Sequence, residues 1–263
     1  MTYKTYSQEQ KDQVKSLFED GKNKCEISRI TGIPRATLTK WIHPTYIRKT
    51  GKPRNTYKPI VDFESYLNTE EKKRAYSFIL GVYLCDGHIS RYKTFRAPCI
   101  RFFNDLKYPL NTQEWKEKLQ IILPENKINV YKKSESNCCV VLAYSRKLLD
   151  LFPQYGEGKK HDRKLTLAPW QKQILDQYPE EFIRGCIQSD GCIYTQKISD
   201  KFSYKRYNFI NKSEDIINFF LSSLERIGIL KQKYFSQSRK LFVVQNFSKE
   251  QKIILETIIS KKE

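Results

Sequence analysis

The chain has 263 residues, and its 48 Lys and Arg against 29 Asp and Glu give a formal net charge of +19 at pH 7. This charge predicts a polyanionic partner, of which nucleic acid is the commonest. The content of 39% hydrophobic and 13% aromatic residues excludes a disordered basic tail.

The lack of visible targeting signals and the pattern of cysteines both predict an intracellular protein. No apolar run reaches the roughly 18 residues of a membrane-spanning helix, and the segment after Met1 lacks the apolar stretch of a secretory signal. The seven cysteines include no Cys-x-x-Cys pair and only three His accompany them, which argues against zinc. We therefore expect reduced thiols and an intracellular location, in the cytoplasm or an organellar matrix, without membrane contact.

Residues 1–43 predict a small helical domain. Two capping boxes, one at Ser7 and one at Asn23, begin helices near 8–20 and 24–31, and Gly32 makes the turn to a third helix at 34–42. The run from Glu26 to Ile42 resembles the helix-turn-helix of transposase and repressor DNA-binding domains. That resemblance implies a reading helix that presents three side chains to a major groove: Arg35, Thr37 and Lys40. A helical bundle that only packs on the rest of the protein is the alternative.

Residues 44–64 are interpreted as a basic linker. Pro44, Gly51, Pro53 and Pro59 interrupt the segment, whose first part carries Lys and Arg without acids. It could follow a phosphate backbone or serve only as a solvated spacer.

An apolar segment then occurs twice, at 78–87 and at 182–191, and the copies are offset by 190 − 86 = 104 residues. Each copy has Gly and a second small residue four positions apart, on one helical face: Gly81 with Cys85, and Gly185 with Ser189. Small residues at this spacing allow two helix backbones to approach closely, so we predict that the two segments form a helix pair.

Each copy ends in Asp-Gly. Asp86 and Asp190 fall in the last helical turn, where the macrodipole disfavours negative charge, and the paired helices bring the two carboxylates together. A divalent cation would relieve both penalties. Gly87 and Gly191 suit a left-handed residue just past each helix.

The repeated motif resembles that of the LAGLIDADG homing endonucleases in their single-chain form, which carries two copies. The pattern is not complete, because Leu84 and Gln188 stand at the first Asp position of the motif. The resemblance covers roughly residues 65–260. It implies a monomer with internal pseudo-twofold symmetry that cleaves double-stranded DNA at specific sites during intron or intein homing. It also implies Mg²⁺ (or Mn²⁺) bound by the last acid of each copy, here Asp86 and Asp190.

The segments after the two motifs repeat one order of elements. Hydrophobic periodicity predicts helix-strand-strand-helix-strand-strand-helix in a first half at 65–155 and again in a second half at 180–263, joined by a linker at 156–179. The predicted fold class is therefore α+β, with two αββαββα halves, antiparallel saddle-shaped sheets and the small all-α domain in front.

Basic residues on the hairpins are the candidate DNA contacts. The sequence predicts a basic sheet face that carries Arg91, Lys93, Arg96, Arg101, Lys197, Lys205 and Arg206. One lysine from each half could stabilise the reacting phosphate, for which Lys133 and Lys240 are the candidates. The basic loop that begins at Gly156 is interpreted as the linker running over DNA.

Two classes of function follow. The first is a metal-dependent, site-specific DNA endonuclease, favoured because both terminal Asp are present. The second is a non-cleaving DNA-binding regulator or an RNA-splicing maturase on the same fold. A transposase-like enzyme is a weaker third interpretation, because the sequence shows no third carboxylate in a suitable order.

Overall fold

A computed structural model describes residues 5–42, 58–91, 97–199 and 202–259. The chain divides into two compact units, Met1–Tyr57 and Lys58–Glu263. No helix in these ranges is long and apolar enough to cross a membrane.

The first unit contains three short helices, α1 (Gln8–Glu19), α2 (Lys24–Thr31) and α3 (Arg35–Ile42). Both predicted capping boxes are present, and Gly32 ends α2 in the left-handed conformation with φ 68°. Because the helices are short, their stability depends on packing rather than on propensity. Their shared core consists of Val14, Ile27, Ile33 and Leu38.

The second unit begins with the short helix α4 (Phe63–Tyr66), and a seven-element series follows it. That series is α5 (Glu70–Cys85), β1 (His88–Ser90), β2 (Cys99–Asp105), α6 (Pro109–Ile122), β3 (Ile128–Lys132), β4 (Cys138–Tyr144) and α7 (Leu148–Leu151). A 3₁₀ turn (Lys160–Asp162) and helix α8 (Pro169–Gln177) come next. The same order then recurs as α9 (Pro179–Asp190), β5 (Gly191–Ser199), β6 (Phe202–Asn211), α10 (Glu214–Arg226), β7 (Tyr234–Ser236), β8 (Leu241–Val244) and α11 (Lys249–Ile259).

Each series forms one antiparallel four-stranded sheet, in the orders β1-β2-β4-β3 and β5-β6-β8-β7. One face of each sheet packs on the helices, because Phe102 and Val141 in the first sheet and Phe209 and Val244 in the second belong to the main core. Since side chains alternate along a strand, the intervening residues form the opposite face, which we call the outer face.

Helices α5 and α9 meet at two glycines. A Cβ atom added to Gly81 would lie 2.6 Å from the carbonyl oxygen of Phe182 and 3.0 Å from the amide nitrogen of Cys186. A Cβ atom on Gly185 would overlap the carbonyl oxygen of Phe78. The two backbones are therefore in direct contact, closer than ordinary helix packing allows.

Polar contacts of α9 also reach α6. Gln188 accepts a hydrogen bond from Trp115 Nε1 at 2.9 Å and donates one to Glu114 at 2.8 Å. Arg184 forms an ion pair with the same Glu114 at 2.8 Å. Gln188 thus joins the second helix of the pair to the first half.

The glycines that follow the carboxylates differ from the prediction. Gly191 has φ −76°, and neither it nor Gly87 is among the glycines with positive φ. At both positions the backbone of the glycine packs against the last turn of the helix that precedes it. A Cβ at Gly87 would lie 2.5 Å from Tyr83 Cα. Glycine is required there for space rather than for a left-handed conformation.

Both predicted linkers contribute packed residues to the second unit. Ile60 and Phe63, at the end of predicted linker 44–64, pack on its core, and the Ile60 amide donates to Asp150 at 2.9 Å. The predicted linker 156–179 contains α8, whose Ile174 and Leu175 are buried. Residues 43–57 lie outside the described residues.

Replacement of Gly81 by Ala should lower the free energy of unfolding by roughly 1–3 kcal/mol, because the added methyl group overlaps the α9 backbone. In an open helix the same change would stabilise by about 1 kcal/mol. Urea denaturation measures the sign. Glu71→Ala, on an exposed position of the same helix, is the control and should shift stability by no more than about 0.5 kcal/mol. A more stable Gly81→Ala protein would contradict the close contact.

Candidate active site

The ends of α5 and α9 bring Asp86 and Asp190 into one electrostatic environment. Asp86 caps α5 and is exposed, and Asp190 is the last residue of α9 and is half-buried. Both carboxylates act on the same two neighbours, since each raises the pKa of Lys160 and of Cys85. The two predicted acids therefore lie at the ends of the packed helices, close enough for both charges to act on Lys160.

That cation is Lys160, from the 3₁₀ turn between the two halves. Its Nζ donates to the carbonyl oxygens of Gly87 at 2.7 Å and Cys85 at 3.3 Å, and also to that of Tyr83. These oxygens belong to the C-terminal end of α5, where the helix dipole favours a positive charge. Lys160 therefore compensates the helix end that the sequence assigns to a metal ion.

Burial determines the titration of Lys160. Loss of solvent lowers the pKa of this lysine from 10.5 to about 8, against the opposing effects of Cys85 and the two aspartates. The ammonium is therefore charged at neutral pH but loses its proton more readily than a surface lysine. Burial also raises the pKa of the Cys85 thiol, which stays protonated.

Asn211, at the end of β6, fixes the orientation of the second carboxylate. Its Nδ2 donates to Asp190 Oδ2 at 2.5 Å, and its Oδ1 accepts from the Ser213 amide at 2.7 Å. The same asparagine thus connects the start of α10 to the carboxylate of α9.

A cavity of about 510 Å³ opens beside these groups. Asp190 is among the lining residues, together with the basic and imidazole side chains His88, Lys159, Lys160, His161, Arg163 and Lys212. The Nε of Arg163 is a buried donor that has no hydrogen-bond partner among the described residues. A cavity lined by these basic side chains suits a phosphate group, because phosphate oxygens carry negative charge and accept hydrogen bonds.

The two other predicted interface residues lie beside these groups. Cys85 is half-buried and contacts Cys186 of α9, and the Ser189 hydroxyl donates to the Gly185 carbonyl at 3.1 Å. By contrast, the structure places Lys133 and Lys240 in the turns of the β3–β4 and β7–β8 hairpins, and neither lines the cavity.

The predicted basic sheet face is not uniform. Arg101 and Arg206 lie on the outer faces, held by hydrogen bonds to Ser90 Oγ at 2.7 Å and Gln196 Oε1 at 2.9 Å. Lys205 and Lys197 share the opposite face of their sheet, and Lys205 forms an ion pair with Glu256 of α11 at 3.5 Å.

The other predicted DNA contacts lie after β1 and in the three-helix unit. Arg91 is exposed just after β1. Lys93 and Arg96 lie outside the described residues. In α3, Arg35 donates to Cys25 Sγ at 3.3 Å. Thr37 is half-buried and Lys40 is exposed.

The donor set fits a hard divalent cation. Among the described residues no three His, Cys, Asp or Glu gather into one group, so a zinc-type cage is absent from this part of the chain. Mg²⁺ and Mn²⁺ instead accept one or two carboxylates and complete their shell with waters and phosphate oxygens. Asp86 and Asp190 would supply such ligands.

Comparison with known proteins supports the fold. No protein-family model and no curated protein sequence matches the chain. Among solved structures, I-DmoI in complex with DNA and Mn is 16% identical with a TM-score of 0.52, covering 72% of this chain and 98% of that one. A structure of mesophilic variants of the homing endonuclease I-DmoI is 17% identical with a TM-score of 0.51, covering 73% and 98%.

The N-terminal LAGLIDADG domain of DUF199/WhiA is 13% identical with a TM-score of 0.46, covering 74% of this chain and 88% of that domain. At these low identities the likeness to I-DmoI shows the fold alone. The chain has the LAGLIDADG fold, with two antiparallel four-stranded sheets.

The pKa of Lys160 predicts a pH dependence of stability. Because the folded protein binds this proton less tightly than the unfolded chain, the free energy of unfolding should rise as pH increases from about 8 to 10.5. The rise should be roughly 3 kcal/mol larger in the native protein than in Lys160→Met. Urea denaturation at pH 7.5, 9 and 10.5 measures the difference.

Lys159→Met is the matched control, since Lys159 is exposed beside Lys160. This variant should retain the pH dependence of the native protein. Identical pH dependences for the native protein and Lys160→Met would contradict the assignment of a buried cation.

Proposed function

We propose that this protein is a metal-dependent endonuclease that cleaves double-stranded DNA at specific sites. The observation that carries the proposal is the pair of helix-end carboxylates that both act on Lys160, beside a basic cavity lined by Lys160 and Asp190. Phosphodiester hydrolysis requires an attacking water, neutralisation of charge on the phosphate and stabilisation of the leaving oxygen. The residues at the site meet the first two requirements.

Each residue has a distinct role in this proposal. Asp86 and Asp190 hold Mg²⁺ or Mn²⁺, and Asn211 keeps Asp190 oriented. The bound ion lowers the pKa of a water and neutralises phosphate charge. Lys160, whose ammonium donates to the carbonyls that end α5, adds a fixed positive charge near the reacting phosphate, the role for which the sequence suggested Lys133 and Lys240. Arg163 lines the same cavity and adds a second positive charge for the phosphate.

DNA recognition is assigned to two surfaces. The net charge of +19 favours a polyanion, and the outer faces of the sheets carry Arg101 and Arg206 already held by hydrogen bonds. The three-helix unit resembles a helix-turn-helix, with Arg35, Thr37 and Lys40 on its third helix. I-DmoI, which shares the fold, has been crystallised with DNA and Mn, in agreement with this assignment.

A non-cleaving DNA-binding regulator is the second candidate. It is favoured by the ammonium of Lys160, which already compensates the end of α5 without a metal ion. The two candidates differ in what the carboxylates do, and substitution of the carboxylates separates them.

Asp86→Asn and Asp190→Asn should each lower the rate of DNA cleavage by at least about 100-fold, because an amide binds a divalent cation poorly. DNA affinity should stay within about tenfold, or about 1.4 kcal/mol. A duplex selected from a random library by binding to the native protein serves as substrate, with Mg²⁺ for cleavage and without it for affinity.

Asp176→Asn is the control, because this exposed aspartate pairs with Arg226 away from the cavity. It should cleave normally. Full cleavage by either motif variant would overturn the metal assignment. Binding of a selected duplex by the native protein, with no cut in Mg²⁺ or Mn²⁺, would favour the regulator.

Removal of residues 1–57 should leave a chain that still folds and cleaves, because Lys58–Glu263 forms its own compact unit. Its nuclease-protected DNA footprint should be shorter and its affinity lower. In the full chain, the double substitution Arg35→Ala and Lys40→Ala should weaken binding, while Lys11→Ala with Lys15→Ala on α1 should not. An unchanged footprint after truncation would show that the three-helix unit does not contact DNA. Its role would then be packing or binding to another protein.

A further inference from the structure

Exposed aromatic side chains are arranged on the outer faces of both sheets. Strand register and alternation assign seven of them to these faces: Phe103, Tyr131 and Tyr144 on the first sheet, and Tyr194, Phe202, Tyr204 and Tyr234 on the second. Their exposed fractions lie between 40% and 62%. Large rings left in water on one face, while the opposite face buries Phe102, Tyr207 and Phe209, indicate a binding surface.

The neighbours of these rings give the surface its chemistry. In the first sheet, Phe103 and Tyr131 both pair with the buried Val140 on the strand between them. In the second sheet, Tyr234 pairs with the buried Val243. The rings thus belong to apolar strips rather than standing as isolated side chains.

Hydrogen-bonding side chains alternate with these strips. Arg101 and Asn129 both pair with Leu142 across the first sheet, and in the second Tyr194 pairs with Arg206 and Tyr204 with Gln196. No lysine occupies an outer-face position in the described strand residues. The surface therefore combines guanidinium forks, amides and apolar rings.

This combination matches the major groove of DNA. Arginine reads guanine, Asn and Gln read adenine, and apolar side chains contact the C5-methyl group of thymine, which is the only apolar group on a base edge in that groove. We propose that these outer-face aromatics select thymine by contact with its methyl group, so that the preferred DNA site is thymine-rich opposite both sheets.

The inference rests on the proposed function only in requiring duplex DNA on the outer faces, and it needs no cleavage. Single-stranded RNA stacked on the rings is the competing occupant. Duplex DNA is favoured because arginine and amide side chains alternate with the rings, a combination that reads base-pair edges in the major groove, and because I-DmoI, which shares the fold, has been crystallised with DNA.

Uracil substitution tests the methyl contact directly, because deoxyuridine differs from thymidine only in lacking that methyl group. The duplex that the full chain selects from a random library without divalent metal is resynthesised with deoxyuridine at single thymine positions. Affinity should fall by about fourfold for every methyl group that is contacted. Tyr234→Ala should lose this penalty at one position while it keeps the penalty elsewhere.

Phe235→Ala is the matched control. Phe235 is next to Tyr234 on β7 and is similarly exposed at 43%, but it lies on the opposite face, where it contacts Phe242. This variant should retain every uracil penalty, and a thermal melt checks that both variants fold.

Three results separate the inference from the function. A selected site without thymine, or equal affinity for the thymine and uracil duplexes, would overturn the inference and leave the nuclease proposal standing. Tighter binding of single-stranded RNA than of any duplex would replace it with the stacking interpretation. Failure to enrich any duplex would instead overturn DNA recognition itself.

Discussion

The contact between Gly81 and Gly185 is the constraint on which the site depends. Because neither residue has a Cβ, the backbones of α5 and α9 touch, and a methyl group on either would overlap a carbonyl oxygen of the partner helix. The same approach brings Asp86 and Asp190 to two neighbouring helix ends, where like charges and both dipoles oppose them. A positive charge is therefore needed at this point. Lys160 supplies one, at the cost of a desolvation that lowers its pKa to about 8. In the proposed function, the carboxylates and a DNA phosphate bind a second, divalent cation.

The connection between the halves is therefore part of the site. The sequence suggests a basic loop over DNA, but the structure directs its Lys160 inward to the carbonyls that end α5. The rest of the connection is anchored by α8, whose Ile174 and Leu175 are buried in the core. Both helix ends and the connection meet at one cavity, so a shift of any of the three would displace the groups proposed to act on the phosphate.

Local signals predicted much of the structure, and long-range geometry explains what they missed. The repeated Gly-x-x-x-small-Asp-Gly pattern indicated the helix pair, and the alternation of apolar residues indicated where strands follow helices along the chain. Both signals depend on residues only a few positions apart. Lys160 lies 160 − 86 = 74 residues from Asp86, and no periodicity relates them. The face of a basic residue on a strand also changes with a single position. Lys205 and Arg206 are adjacent in sequence, yet only Arg206 lies on the outer face.

The central claim is that Asp86, Asp190 and the turn at Lys160 surround one divalent-cation site. Fe²⁺ in place of Mg²⁺, with ascorbate and peroxide, generates hydroxyl radicals that cut the polypeptide next to the bound metal. In the DNA complex we expect cuts near residues 86, 160 and 190 together, suppressed by excess Mg²⁺ and absent from a protein with Asn at both motif positions. Cuts at only one of the two helix ends, or a pattern that Mg²⁺ and the double substitution leave unchanged, would contradict a shared site.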